Sequence, residues 1–325
     1  MDVITFGEAM VRLAPANHRR LEQAYSLDVE IGGAELNTAI GLARLGRTST
    51  WVSRLTDNPL GRLIVNRASE TGIATHILFT EEDRVGVYFL EFGAAPRPSG
   101  IVYDRTDSAM ARIQPGMMDW PKILTGANWF YVTGITAALS PSAADATLEA
   151  LHAAKTAGLT TCLDPNYRAK LWSVDEARAW LAEAIKFVDV LVTNPADAER
   201  FFGISAADPE QAAAATATHY HLVAVAMTLR ETPSVWRNTV SAVGHAGGRT
   251  VRAPSYEVEI VDRLGSGDAF VAGLLHGLLN GDLEKGLGYG TAMNALKHSI
   301  PGDFPWLTKA EVEALMQGGG LRIDR

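Results

Sequence analysis

Apolar positions along the chain alternate between two patterns. Short runs rich in β-branched and apolar residues at 3–6, 50–55, 128–132, 160–164, 188–193 and 221–227 predict strands. Between them, residues 36–45, 59–71, 141–157, 174–187 and 209–218 carry apolar side chains at helical spacing. Strands alternating with helices of this length predict βαβ units, hence an α/β fold with a mostly parallel central sheet flanked by helices on both faces. Beyond Gly265 the pattern turns helical, over 268–279, 283–298 and 308–316.

Two stretches break this rhythm. Residues 9–31 and 85–105 lack helical periodicity and show short alternating segments, such as Gly86-Val87-Tyr88-Phe89-Leu90-Glu91-Phe92. They predict hairpin or edge strands that pair into one small β-sheet lid over an α/β body of residues 1–8, 32–84 and 106–325. An exposed lid sheet would also serve as a surface for a homo-oligomer.

Composition narrows the class of partner. The 325 residues include 29 Lys and Arg against 37 Asp and Glu, a net charge of −8. This balance argues against a general nucleic-acid or anionic-membrane binder, which needs a basic face, but leaves room for a small anion held by a few arginines. A single cysteine, Cys162, excludes an intrachain disulfide framework and a cysteine zinc cage. Its setting, Thr160-Thr161-Cys162-Leu163, predicts a buried structural thiol. His219 and His221 flank Tyr220 without nearby carboxylates, so a metal site is not expected there. The first residues have an early acid and no basic region, and no apolar stretch approaches the roughly 20 residues of a membrane span, so a reduced, cytoplasmic protein is expected.

Four motifs carry candidate chemistry. Asp262-Arg263-Leu264-Gly265-Ser266-Gly267-Asp268 leads directly into an apolar helix. Small residues there let the N–H groups of Gly265, Ser266 and Gly267 converge at the positive end of a helix dipole, which suits an anion. Asp268 is then either a helix cap or a general base beside that anion. Gly32-Gly33-Ala34-Glu35-Leu36-Asn37 stands ahead of another helix; Gly33 permits close approach of a ligand and Asn37 could bond sugar hydroxyls, although a plain capped loop has the same composition. Asp164-Pro165-Asn166-Tyr167-Arg168 follows a strand, where ligands of open α/β sheets bind, and the Arg168 guanidinium can grip a carboxylate or phosphate or simply form a surface salt bridge. Gly41-Leu42-Ala43-Arg44-Leu45-Gly46-Arg47-Thr48 approaches a phosphate-binding loop, but helix precedes it and strand follows, so Gly46 is expected only to end a helix.

Together the Gly33–Asn37 and Asp262–Asp268 segments resemble the two signatures of the ribokinase-like (PfkB) carbohydrate kinases, in the same order and with the same wide separation. The pieces Tyr88, Tyr103-Asp104-Arg105, Asp164-Pro165-Asn166-Tyr167-Arg168 and the run Ala295 to Phe304 resemble the 2-keto-3-deoxygluconate kinases within that family. The resemblance implies transfer of the ATP γ-phosphoryl group to the terminal hydroxyl of the sugar acid, giving the 6-phosphate. It implies Asp268 as base, the N–H groups of Gly265, Ser266 and Gly267 as anion hole, and Gly33, Asn37, Tyr88, Tyr103, Arg105, Arg168 and Asp303 as sugar contacts. Asn194 and Asp197 resemble an element near Mg²⁺, with Asp197 acting through water rather than as a direct ligand, and Thr228 and Arg230 would contact ATP phosphates. A monovalent cation is left open by the same resemblance. Ser266 stands where the family usually has alanine. The segment Met227-Thr228-Leu229-Arg230-Glu231-Thr232-Pro233-Ser234 lacks the glycines of the family's usual nucleotide loop. Alternatives are a fructokinase- or ribokinase-like enzyme, or a sugar-acid-binding relative without catalysis.

Overall fold

The computed structural model describes residues 1–234 and 236–319. Its strands, in chain order, are β1 (Val3–Phe6), β2 (Met10–Ala14), β3 (Asp28–Gly32), β4 (Ser49–Thr56), β5 (Ala74–Thr80), β6 (Val87–Glu91) and β7 (Gly100–Asp104). They continue with β8 (Trp129–Thr133), β9 (Thr160–Asp164), β10 (Val190–Thr193), β11 (Ala224–Ser234), β12 (Arg237–Ala246), β13 (Arg249–Arg252) and β14 (Tyr256–Glu259). The larger sheet runs β13-β12-β11-β10-β9-β8-β1-β4-β5, with β14 paired to β12. From β11 through β5 every pairing is parallel; β12, β13 and β14 add an antiparallel edge. The carboxyl ends of β1, β8, β9, β10 and the first half of β11 therefore point the same way, and every motif singled out above except the false phosphate loop lies at or near that rim.

The central strands are apolar on both faces because helices cover both faces. Alternation sorts their side chains: Phe130 and Val132 of β8 pack under the helices Pro141–Thr156 and Val174–Ala184. Tyr131, between them, joins Cys162, Val190 and Val192 against the helices Ser266–Leu278 and Leu283–Lys297. Cys162 is free and fully buried, as its apolar setting predicts. Helix starts are set by side-chain caps followed by proline, at Ser140-Pro141, Asn194-Pro195 and Asp208-Pro209. Gly46, in the left-handed region at φ +81°, ends the helix Ala34–Arg44 as expected.

The two helix-poor stretches do meet. They form a separate four-stranded sheet, β3-β2-β6-β7, in which β2 pairs parallel with β6 across a long stretch of sequence.

Three local expectations shift. The strand predicted from 221 begins at Ala224, because His221 takes φ +55° to cap the helix Pro209–Tyr220. The strand predicted from 188 begins at Val190, after a 3₁₀ turn at Ile185–Phe187. The segment after Met227 does not form a loop: Thr228, Arg230 and Glu231 continue β11 and pair with Ala242, Val240 and Thr239 of β12. Lacking glycine, it stays extended.

Candidate active site

The helix Ser266–Leu278 begins at the rim, capped by Gly265 in the left-handed conformation, φ +78°. A Cβ at Gly265 would lie 2.0 Å from the Asp303 carbonyl oxygen, so glycine is required there by both conformation and space. A Cβ on Gly267 would meet nothing within 4 Å, which leaves the backbone of this first turn open to the cleft. Ser266 N–H has a long 3.4 Å bond to Arg263 O, and its hydroxyl donates to the same carbonyl at 2.9 Å. The first turn lies at the positive end of the helix dipole, which favours negative charge.

Asp268 is not the cap. It lies in the first turn, and its Oδ2 accepts from Asn37 Nδ2 at 2.7 Å, joining the helix Ala34–Arg44 to the helix Ser266–Leu278. Burial raises the Asp268 carboxyl to about 6; the bond from Asn37 and the charges of Arg168 and Lys297 draw it back down, while Asp303 adds to the rise. A carboxyl poised there can take a proton near neutral pH, as a general base must. Asn37 Oδ1 is buried without a hydrogen-bond partner among the described residues, which leaves an acceptor for a bound hydroxyl.

A cleft of about 970 Å³ opens beside Asp268. Its walls bring together Gly265, Ser266, Gly267, Arg168, Asn194, Asp197, Thr228 and Arg230, eight positions expected from sequence. Arg168 is exposed; its charge is felt by both Asp268 and Asp164. Burial pushes Asp164 up to about 7, against one bond from Asn166 N–H at 2.9 Å. Asn194 caps the helix Pro195–Phe202 by accepting from Asp197 N–H at 2.9 Å, and donates to the Asp197 carboxylate at 2.7 Å. Thr228 donates to Thr193 O at 3.4 Å.

The remaining expected residues line the small-sheet side rather than this cleft. Tyr88 is buried and donates to Asp303 Oδ2 at 2.6 Å. Asp303 also receives Arg12 at 2.7 Å, so both its oxygens are engaged by the protein. Arg105 gives Nε, at 2.9 Å, and Nη2 to Glu8, which leaves Nη1 on the far side of the guanidinium. Tyr103 is half-exposed, with its ring 5.9 Å from that of Tyr88 and beneath the Arg105 guanidinium. Gly33 fits because a Cβ there would come within 2.3 Å of Glu8 O.

Sequence reasoning did not find Arg12, Glu8, Glu35 or Lys297. Glu35 is fully buried and accepts from Thr133 N–H at 2.9 Å and from the hydroxyls of Thr133 and Thr136 at 2.7 and 2.8 Å. It fastens the glycine segment to the end of β8. The usable signal was a charge inside an apolar run, as for Arg12 in Met10-Val11-Arg12-Leu13-Ala14.

Among the described residues no cluster of three or more His, Cys, Asp or Glu side chains could hold a metal on its own. The isolated carboxylates Asp197, Asp164 and Asp268 around the cleft suit Mg²⁺ held mainly by phosphate oxygens and water, which is how that ion is commonly bound. No helix among the described residues is long and apolar enough to cross a membrane.

The pfkB family carbohydrate kinase model matches residues 1–302, and the chain belongs to that family of carbohydrate kinases. A 2-dehydro-3-deoxygalactonokinase of Haloferax volcanii is 37% identical over 325 residues, covering 100% of this chain and 99% of the relative. A 2-dehydro-3-deoxygluconokinase of Bacillus subtilis is 26% identical, covering 96% of this chain and 94% of its own length. The crystal structure of a 2-dehydro-3-deoxygluconokinase from Thermotoga maritima superposes with a TM-score of 0.94 at 39% identity, over 98% of this chain and 100% of that one. The ribokinase-like fold, with its mostly parallel sheet and separate small sheet, is shared.

Proposed function

We propose that this kinase transfers the γ-phosphoryl group of ATP to the terminal hydroxyl of a 2-keto-3-deoxy sugar acid, giving the 6-phosphate. The observation that carries the reading is Asp268: a buried carboxyl, oriented by Asn37 at 2.7 Å, beside the open first turn of the helix Ser266–Leu278. Asp268 takes the hydroxyl proton as the sugar oxygen bonds to the γ-phosphorus. The bond from that phosphorus to its bridging oxygen breaks, and ADP leaves. The N–H groups of Gly265, Ser266 and Gly267 stabilise the charge spread over the phosphoryl oxygens. Mg²⁺ carried on the ATP phosphates would neutralise charge there, with Asp197 reaching it through water; Thr228 and Arg230 face the phosphates from the ribbon of β11.

The sugar acid lies, in this reading, between the rim and the small sheet. Asn37 meets its hydroxyls, Tyr88 and Tyr103 cover it, and Gly33 leaves room for it. Its carboxylate is held by Arg168 and by Nη1 of Arg105. Asp303 acts through Tyr88, whose hydroxyl it holds at 2.6 Å. The small sheet works as a lid, and its outer face, where Tyr25 and Val102 are 97% and 58% exposed, is the surface for self-association. A reducing cytoplasm suits the free thiol of Cys162.

A coupled assay with the gluco and galacto epimers of the keto-deoxy acid, fructose and ribose tests the substrate class. Turnover of an acid epimer well above the neutral sugars is expected; equal or faster turnover of a neutral sugar overturns the reading. Arg168→Ala is expected to cost the acids about 10- to 100-fold in kcat/KM, as loss of a charge-assisted contact does, and the neutral sugars little. A uniform loss would remove Arg168 from carboxylate recognition. The profile of kcat/KM against pH should have an acid limb near 6, with activity lost as pH falls and Asp268 is protonated.

A further inference from the structure

A buried cluster of charges lies outside the cleft. Arg12, on β2 of the small sheet, is 2% exposed and reaches two carboxylates at once. Its Nη2 donates to Asp262 Oδ2 at 2.6 Å and its Nη1 to Asp303 Oδ1 at 2.7 Å. Lys297, fully buried, adds a second cation: its Nζ donates to Ile300 O at 2.9 Å, in the loop that carries Asp303. The two cations balance the two carboxylates, which is what allows four charges to remain buried.

Both carboxylate residues act on the anion-binding turn. Asp262 Oδ1 accepts from Leu264 N–H at 3.0 Å, fixing the bend that enters Gly265, while its Oδ2 also takes Gly302 N–H at 3.1 Å. Asp303 closes the other side, since its carbonyl lies where a Cβ of Gly265 would be. Tyr88, on β6 of the same small sheet, holds the second oxygen of Asp303 at 2.6 Å. Gly265 is therefore set between two residues that are both clamped from the small sheet.

We infer that Arg12 is a positioning residue for phosphoryl transfer: by clamping Asp262 and Asp303 together it ties the seating of the small sheet to the geometry of the Gly265 turn. It touches neither substrate. Its two-pronged planar group is needed because the single ammonium of lysine cannot meet two carboxylates with the same pair of in-plane bonds. A small displacement of oriented N–H groups is enough to slow a reaction by about 100-fold, so the coupling acts on kcat. This inference rests on the kinase reading above, and on its carbohydrate substrate class only for the choice of acceptor.

Arg12→Lys, which keeps the charge, tests it in the full chain, with Asp262→Asn and the double variant completing a cycle. Each single variant is expected to lower kcat of the folded protein by about 10- to 100-fold with KM for ATP and acceptor little changed. The double variant should lose scarcely more than either single one, because both cut the same link. A merely structural arginine would instead lower the melting temperature and the folded fraction while leaving kcat per folded molecule intact. That result, a rise in KM alone, or additive losses would overturn the proposal. The acceptor is whichever carbohydrate the wild-type chain phosphorylates. Failure of the keto-deoxy acids as substrates would therefore count against the proposed substrate and leave the test of Arg12 standing.

Discussion

Asp268→Asn is expected to lower kcat by about 10²–10⁴-fold, the usual worth of a general base, while sugar binding survives. Asparagine is nearly isosteric and can still accept the 2.7 Å bond from Asn37, so the pocket keeps its shape and loses only its proton acceptor. Single-turnover kinetics together with calorimetric titration of the sugar separate the two effects; unchanged turnover would remove Asp268 from the role of base. The same variant should be more stable than the wild type above neutral pH. Burial raises the folded-state pKa of Asp268 to about 6, above the roughly 4 of an unfolded aspartate. Its contribution therefore favours folding fully only below pH ~4 and is lost as pH rises through about 6. An uncharged side chain escapes this, and a gain of about 1–2 kcal/mol at pH 8 is expected from urea denaturation. A lower stability at that pH would mean that the ionised carboxylate is satisfied in the fold. In the proposed mechanism activity and stability pull against each other at this residue, because a general base must be ionised and burial disfavours that form.

Gly265→Ala should be nearly as damaging by a different route. The residue sits at φ +78°, where an L side chain is strained, and its Cβ would fall 2.0 Å from Asp303 O. Either the helix start or the 300–303 loop must move, which misdirects the N–H groups that the proposed mechanism sets against the transferring phosphoryl. A loss of about 10²–10³-fold in kcat is expected, the scale of losing one oriented donor, with a lowered melting temperature. Ser266→Ala is the control. In the proposed mechanism the serine acts through its backbone N–H, and its hydroxyl bonds Arg263 O at 2.9 Å, so kcat should change little. If both variants behave alike, the backbone of this turn is not the phosphoryl site.

Much of the architecture was legible because the hydrophobic pattern of a buried parallel sheet is strong. β1 and β9 were placed to the residue, and the small sheet was recognised as two irregular stretches able to pair. What escaped was set by tertiary context. The helix Pro195–Phe202 spans only eight residues, too few turns for its apolar face to repeat, and β5 has only partly buried or exposed side chains, so it shows no buried face. The antiparallel strands β12, β13 and β14 follow a segment that was read as an altered loop, when its lack of glycine meant a longer strand. At the site, the glycine-flanked motifs announced Asp268 and Asn37, since backbone approach needs glycine in a local pattern. Arg12 and Lys297 could not be read in that way. Their meaning depends on carboxylates that only folding brings near, such as Asp303, 291 positions from Arg12.

That separation has a consequence for the newly made chain. Arg12 is made 291 positions before Asp303, so the ion pair that seats the small sheet forms only once that whole stretch is in place. Before then Arg12 has no Asp303 to hold, and the turn at Gly265 lacks the carbonyl that closes it. A chain cut before Asp303 would keep the Gly265 turn without the carbonyl that packs against it.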